Sequence, residues 1–226
     1  MIKEKLNEIK KLIRLHEIKY ARPKGAVKLL AASKGQSIEK IREAFSEGQL
    51  SFGENYLQEA LLKIKSLNEP SIEWHFIGEV QSNKTKKIAT HFAWVESVAS
   101  DVIAKRLNEQ RPSNLPPINI LIEVNLNQEK SKAGLSEIEI RPLLNFCLKL
   151  SRLKVRGLMS IPEPALVFSK QREHFHRLFE LFQTLRQEGF ALDILSMGMS
   201  QDFEAAIAEG STEVRIGTAI FGERKK

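Results

Sequence analysis

Val27-Lys28-Leu29-Leu30-Ala31-Ala32-Ser33-Lys34 is an apolar run of strand length that stops on a lysine. Gly35-Gln36-Ser37 then supplies a turn and an N-cap, after which Ile38, Ile41, Arg42 and Phe45 recur at helical spacing. A lysine therefore sits where a buried strand hands over to a helix. In α/β proteins that is the edge where ligands bind, because side chains at the carboxyl ends of the strands share one crevice. A single lysine at a strand end is ordinarily a solvated one. The rest of the chain is what gives Lys34 another reading.

Upstream, Ile2, Leu6, Ile9, Leu12, Ile13 and Leu15 fall at three- and four-residue spacing among charges, which predicts an amphipathic helix from 2 to about 20, ending before Arg22-Pro23-Lys24-Gly25. Downstream, short β runs alternate with helical ones. Strands are predicted near 27–33, 50–52, 73–77, 92–95, 118–124, 153–157, 191–195 and 213–216, with helices near 37–47, 54–67, 84–90, 100–110, 135–150, 168–187 and 201–209. Short connections with a helix between successive strands imply right-handed βαβ units and a parallel sheet. Eight such units fit a closed (β/α)₈ TIM barrel better than an open doubly wound sheet, whose nucleotide site would need a glycine-rich first turn. The first turn here has only Gly35, and neither G-x-G-x-x-G nor G-x-x-x-x-G-K-[ST] occurs. The expectation is one α/β barrel domain over 1–226 with an extra N-terminal helix.

A chain of 226 residues with 42% hydrophobic residues can bury a substantial core. Its net charge of +7 suits a phosphorylated ligand, a nucleic acid or an anionic surface. Most of that charge is interspersed with acids, and the unmixed runs, Lys84 to Lys87 and Arg224-Lys225-Lys226, are short. No RNA-binding aromatic motif or zinc-finger spacing occurs, so nucleic acid is not the expected partner. Cys147 is the only cysteine and lies on an apolar helix, which is compatible with a reducing compartment. The N-terminus lacks an apolar leader segment, and no run approaches the roughly 18 apolar residues of a membrane span. The reading is a cytoplasmic protein, without a membrane, as a monomer.

In a barrel the segments after the strands face the ligand side, and the loops after strands seven and eight form the recurrent phosphate site. Here the seventh supplies Ser196-Met197-Gly198-Met199-Ser200 running into a predicted helix start, and the eighth supplies Gly217-Thr218. Backbone N–H groups at a helix start, a residue without a β-carbon and a threonine hydroxyl suit an anion. A strand-end lysine facing such a pocket suggests a carbonyl ligand anchored at two points, since a lysine amine can attack an aldehyde to form a Schiff base. Pyridoxal phosphate (PLP) would join its aldehyde to Lys34, place its phosphate at Ser200 and Gly217-Thr218, and present its ring nitrogen to Arg215. A guanidinium only donates hydrogen bonds, so it favours the unprotonated ring nitrogen and a weaker electron sink.

His75 alternates with aromatic residues on its strand and is expected to point inward, with a structural hydrogen bond favoured over proton transfer. Glu123 and Asn125 share a parity and are expected to complete a polar network behind the ligand. His174 and His176 are two apart on a helix, and no H-x-x-x-H pair is present to hold a metal.

At these residues the chain resembles the pyridoxal-phosphate homeostasis proteins, the YggS/PROSC family. The matching segments are Ser33-Lys34, Phe52 to Glu59, Trp74 to Gly78 with Gln81 to Lys84, Arg156 to Met159, Ser196 to Ser200, and Gly210 to Gly222. The resemblance implies a fold-type III barrel like the N-terminal domain of alanine racemase, with Lys34 as the Schiff-base lysine. It also implies Ser200, Gly217 and Thr218 at the phosphate, Arg215 at the ring nitrogen, and Asn55, His75 and Met199 in the pocket. Departures are Gly35, where the family commonly has threonine, and Glu79-Val80, where proline and leucine are usual. The implied role is to hold and buffer PLP in vitamin B6 and amino-acid balance, with PLP-dependent apo-enzymes as possible recipients and no established catalysis. The alternatives are a PLP-dependent amino-acid racemase and an aldolase-like barrel using Lys34 on a sugar phosphate.

Overall fold

The computed structural model describes residues 1–126 and 133–223 of the 226; the basic run Arg224-Lys225-Lys226 lies outside them. Eight parallel strands, β1 (Lys28–Ala32), β2 (Ser51–Glu54), β3 (Glu73–Phe76), β4 (Trp94–Val98), β5 (Ile118–Glu123), β6 (Leu153–Met159), β7 (Ile194–Ser196) and β8 (Glu213–Ile216), pair in chain order. The barrel closes where β1 meets β8, with Leu30 opposite Arg215 and Ala31 opposite Ile216. Helices α2 (Ile38–Ser46), α3 (Leu57–Leu67), α4 (Thr85–His91), α5 (Asp101–Gln110), α6 (Glu137–Cys147), α7 (Phe168–Gln187) and α8 (Phe203–Ala208) follow successive strands. This is a (β/α)₈ barrel of the kind the strand and helix spacing predicts.

Strand alternation divides the apolar residues into two sets. Phe52, Phe76, Val95, Ile120, Ile122, Leu158, Leu195 and Val214 face outward and pack under Ile41, Leu57, Ile88, Leu107, Leu144 and Leu178 of the helices, forming one continuous core. A second, small cluster of Trp94, Leu121, Met159 and Ile194 fills part of the barrel interior. Cys147 is buried on α6 in the outer core, where burial pushes its thiol up to about 12.

The preceding helix, α1 (Ile2–Lys19), packs against α2, α8 and the terminal α9 (Thr218–Phe221). Ile2, Leu6, Ile9 and Ile13 form its buried stripe, and each contributes roughly 1.5–3 kcal/mol of apolar burial. Its end is tied down by Glu17, 2% exposed, which accepts the N–H groups of Gly25 and Val27 at 3.1 and 3.0 Å. Those bonds hold its carboxyl below the usual range despite burial. Among the described residues, no helix is long and apolar enough to cross a membrane.

Four strands run further than the hydrophobic pattern predicts: β2 to Glu54, β4 to Val98, β6 to Met159 and β7 to Ser196. The first two extensions take in Glu54 and Glu96, and both glutamates are fully buried. An apolar pattern stops at a glutamate because a lone buried carboxylate is costly. Both of these have partners from elsewhere in the chain: Lys63 and Ser33 for Glu54, and His75 and Ser196 for Glu96.

Candidate functional site

At the carboxyl ends of the strands lies a cavity of about 520 Å³. Lys34, Asn55, Met199, Ser200, Arg215, Gly217 and Thr218 all line it, and they come from the ends of β1, β2, β7 and β8. Ser33, immediately before Lys34, is buried, and its N–H donates to Gly53 O at 2.9 Å, so the β1–β2 pairing extends to the edge of the cavity. Asn55 follows β2; its Oδ1 is buried and has no hydrogen-bond partner among the described residues. A buried oxygen of that kind is satisfied by a donor from a ligand or a water. Ile77, Met159, Ile161 and Pro162 supply the apolar part of the wall.

The loops after β7 and β8 are held together at one end of this cavity. Gly198 has φ +96°, a left-handed conformation, and a β-carbon there would meet Ala206 Cβ at 2.5 Å, so the tight turn into α8 requires glycine. The Met199 N–H donates to Asp202 Oδ1 at 2.6 Å, and Ser200 Oγ accepts the Ala219 N–H at 3.4 Å, which links this loop to the start of α9. Burial pushes the Asp202 carboxyl above its ordinary range, with the Met199 N–H opposing. At Gly217 a β-carbon would come within 3.0 Å of Ala32 O, so the backbone lies against the end of β1. α8 begins at Phe203, two residues later than the spacing predicts, because Met199 to Asp202 form the preceding turn.

Beneath the cavity the barrel interior is polar. Arg215, 5% exposed, donates from Nη1 to Ser196 Oγ at 2.6 Å and from Nη2 to Ser160 O at 2.9 Å. Ser196 Oγ donates in turn to Glu96 Oε2 at 2.8 Å, and Glu96 Oε1 lies 2.7 Å from His75 Nδ1. The His75 ring stacks on Trp94 with centroids 5.0 Å apart and 3° between planes. A continuous chain of hydrogen bonds therefore runs from the cavity wall to the interior. Burial disfavours charge on His75, but the Glu96 bond and the charges of Glu96 and Glu213 outweigh it and raise its pKa. Glu96 is held below the usual range by His75 and Arg215 against the burial penalty. Burial and the charge of Glu96 push Glu213 up to about 8. Ligand-type atoms of His75, Glu96 and Glu213 lie within 4.8 Å of one another. With Arg215 alongside, the ionised carboxylate is already compensated, and a proton on Glu213 relieves the repulsion that a cation would otherwise be needed to offset.

Residues 9–225 match the family described as alanine racemase, N-terminal domain. The pyridoxal phosphate homeostasis protein of Vibrio alginolyticus is 47% identical over 227 residues, covering 99% of this chain and 97% of that protein. The chain belongs to the pyridoxal phosphate homeostasis protein family. Another member, from Pseudomonas aeruginosa, is 50% identical over 203 residues, covering 90% of this chain and 87% of its own. The solved structure of PipY from Synechococcus elongatus, with PLP bound, superposes with a TM-score of 0.84 at 34% identity and covers 98% of this chain and 100% of that one.

Within this family member, His75 does not line the cavity. It lies below it and is linked to the wall by hydrogen bonds through Glu96, Ser196 and Arg215. Glu123 and Asn125 line an adjoining cavity of about 210 Å³ with Ser160, His174 and Phe175, which shares Ile161 and Pro162 with the larger one. Glu96 and Asp202 were missed by the sequence reasoning. Glu96 shares strand parity with Trp94, so alternation could have placed it inside the barrel once β4 was extended.

Proposed function

We propose that this chain binds PLP as a Schiff base on Lys34 and acts in intracellular PLP homeostasis and amino-acid balance, without catalytic turnover. The observation that carries the reading is that Lys34, Arg215 and the Ser200 and Gly217-Thr218 loops line one cavity of about 520 Å³. When bound, PLP supplies an aldehyde that condenses with an amine, releasing water, and an electron-withdrawing ring. The fit of the residues is chemical as well as spatial. Gly217 lets the β8 loop pack against the end of β1 at Ala32, Thr218 and Ser200 bring hydroxyls, and the buried Asn55 Oδ1 awaits a donor such as a ring hydroxyl. The named role of the relatives and the PLP in PipY support the same ligand.

The absence of turnover rests on what surrounds the ring position. Arg215 offers only donors, and its guanidinium is already fixed by Ser196 and Ser160. Among the described residues lining the cavity, Asp202 is the one acid–base side chain besides Lys34 and Arg215, and it accepts the Met199 N–H. Racemisation needs a second acid/base on the opposite face of the substrate carbon. The proposal includes one domain over 1–226, a cytoplasmic monomer, and PLP-dependent apo-enzymes as recipients of the cofactor.

Two measurements on the full chain test this function. Titration with PLP should give saturable binding that Lys34→Ala weakens strongly. Amino acids incubated in D₂O with the loaded protein should keep their α-hydrogen; exchange that disappears in Lys34→Ala would replace the carrier reading with a racemase-like enzyme.

A further inference from the structure

Directly behind Lys34 lies a buried charged cluster that the binding site itself does not use. Lys63 of α3 is 3% exposed. Its Nζ donates to Ser33 O at 2.7 Å, to Glu54 Oε1 at 2.7 Å and to Glu59 Oε1 at 2.5 Å, which engages all three donors of an ammonium. Ser33 Oγ donates to the same Glu54 oxygen at 2.6 Å. Glu59 Oε1 also accepts the Gly35 N–H at 2.7 Å. The residue before Lys34 is thus held through its carbonyl and hydroxyl, and the residue after it through its amide. Both ties run to one lysine–carboxylate cluster on β2 and α3.

We propose that Lys63, Glu54 and Glu59 are positioning residues that clamp the backbone on either side of Lys34 and so aim its amine into the cavity. This rests on the reading of Lys34 as the residue that binds PLP covalently. A buried ion cluster is a poor source of stability, since well-packed apolar residues of the same volume do as well or better. Its place around one residue is what distinguishes it from a core strut. The clamp grips residue 35 by its N–H, so it needs no side chain there, in keeping with Gly35 at that position. Glu54 accepts the Ser33 hydroxyl and Glu59 the Gly35 N–H in the segment after β1, whereas Asn55 between them lines the cavity.

The test compares PLP with 4-deoxypyridoxine 5′-phosphate, which keeps the ring and phosphate but has no aldehyde, on the full chain. The variants are Glu59→Ala, Glu59→Gln, and the double variant Lys63→Met/Glu54→Gln, which avoids leaving an unpaired buried charge. Misaimed amine chemistry should lower PLP affinity about tenfold or more in Glu59→Ala and in the double variant. Affinity for the deoxy analogue should stay within about twofold, because ring and phosphate contacts are untouched. Glu59→Gln keeps an oxygen for the Gly35 N–H and should recover most of the loss. Unchanged PLP affinity in Glu59→Ala, or equal losses for both ligands, would overturn the clamp. The Glu59 side chain is 30% exposed, so Glu59→Ala decides the matter should the double variant not fold. A wild-type protein that forms no borohydride-stable adduct on Lys34 would instead overturn the underlying PLP reading, and the clamp with it.

Discussion

Replacing Glu213 with glutamine should abolish much of the loss of stability that this protein undergoes as pH rises through neutrality. Burial first, and then the charge of Glu96, raise the Glu213 carboxyl from its ordinary 4.5 to about 8, with His75, Ser196 and Arg215 opposing. In the unfolded chain the same carboxyl ionises near its ordinary value. Between about pH 4.5 and about pH 8 the folded protein therefore holds a proton that the unfolded chain has released. Unfolding free energy falls with rising pH at about 1.4 kcal/mol per pH unit for one such proton, and the contribution is lost above about pH 8. The whole interval corresponds to something on the order of 5 kcal/mol. Glutamine keeps the shape of the neutral acid and has no proton to release, so this dependence disappears. His75, whose raised pKa acts in the same direction, is present in both proteins; part of its shift comes from Glu213, so the difference between them reports residue 213 together with its coupling to His75. Urea unfolding of both should be followed from about pH 5 to about pH 9. The stability of the variant relative to wild type should rise by several kcal/mol across that range. Parallel stability curves would refute the buried, protonated Glu213 and the electrostatics of the barrel interior argued from it.

Three further outcomes are expected. Leu6→Ala removes a fully buried side chain from the seam between α1 and its neighbours and should lower unfolding free energy by about 3 kcal/mol in urea titration; less than 1 kcal/mol would mean that α1 is not docked. Cys147, buried and with its thiol raised to about 12, should resist an aromatic disulfide reagent in the native protein and react fully in denaturant; native-state reaction at the rate of a free thiol would contradict its placement. Gly217→Val places a β-carbon within 3.0 Å of Ala32 O and should cost about 1–3 kcal/mol of stability and at least about tenfold in PLP affinity by fluorescence titration. Undiminished affinity would remove Gly217 from the ligand cradle.

Much of the fold is legible because the outer core obeys simple rules. Each strand carries apolar residues on its outward face, each helix carries a stripe, and the short connections leave only a parallel closed sheet. The strand-end lysine, the Ser200 loop and Gly217-Thr218 converge on one cavity for the same reason, since strand order alone brings the ends of β1, β7 and β8 together. What alternation did not reveal is the buried charge, Glu96 inside the barrel and Glu54 on its outer face against α3. Glu54 and Glu96 look like strand terminators until Lys63 and His75 are placed beside them, and those partners come from other elements. His75 has the inward direction expected of its strand, but depth along the barrel axis decides whether an inward residue meets the ligand or the interior, and Trp94 and Glu96 hold it below the wall. Glu123 and Asn125 share a strand-end parity yet open onto the neighbouring cavity beside α7. The four-residue α9 is too short for a 3.6-residue period to register.

The covalent anchoring of PLP on Lys34 can be read out by incubating the full chain with PLP, reducing with borohydride and sequencing its peptides by mass spectrometry. A visible absorbance band that borohydride abolishes is expected, with the reduced pyridoxyl group on Lys34 and not on Lys63, whose amine is engaged by Ser33, Glu54 and Glu59. A saturably bound PLP that leaves Lys34 unmodified, or no band at all, would contradict it.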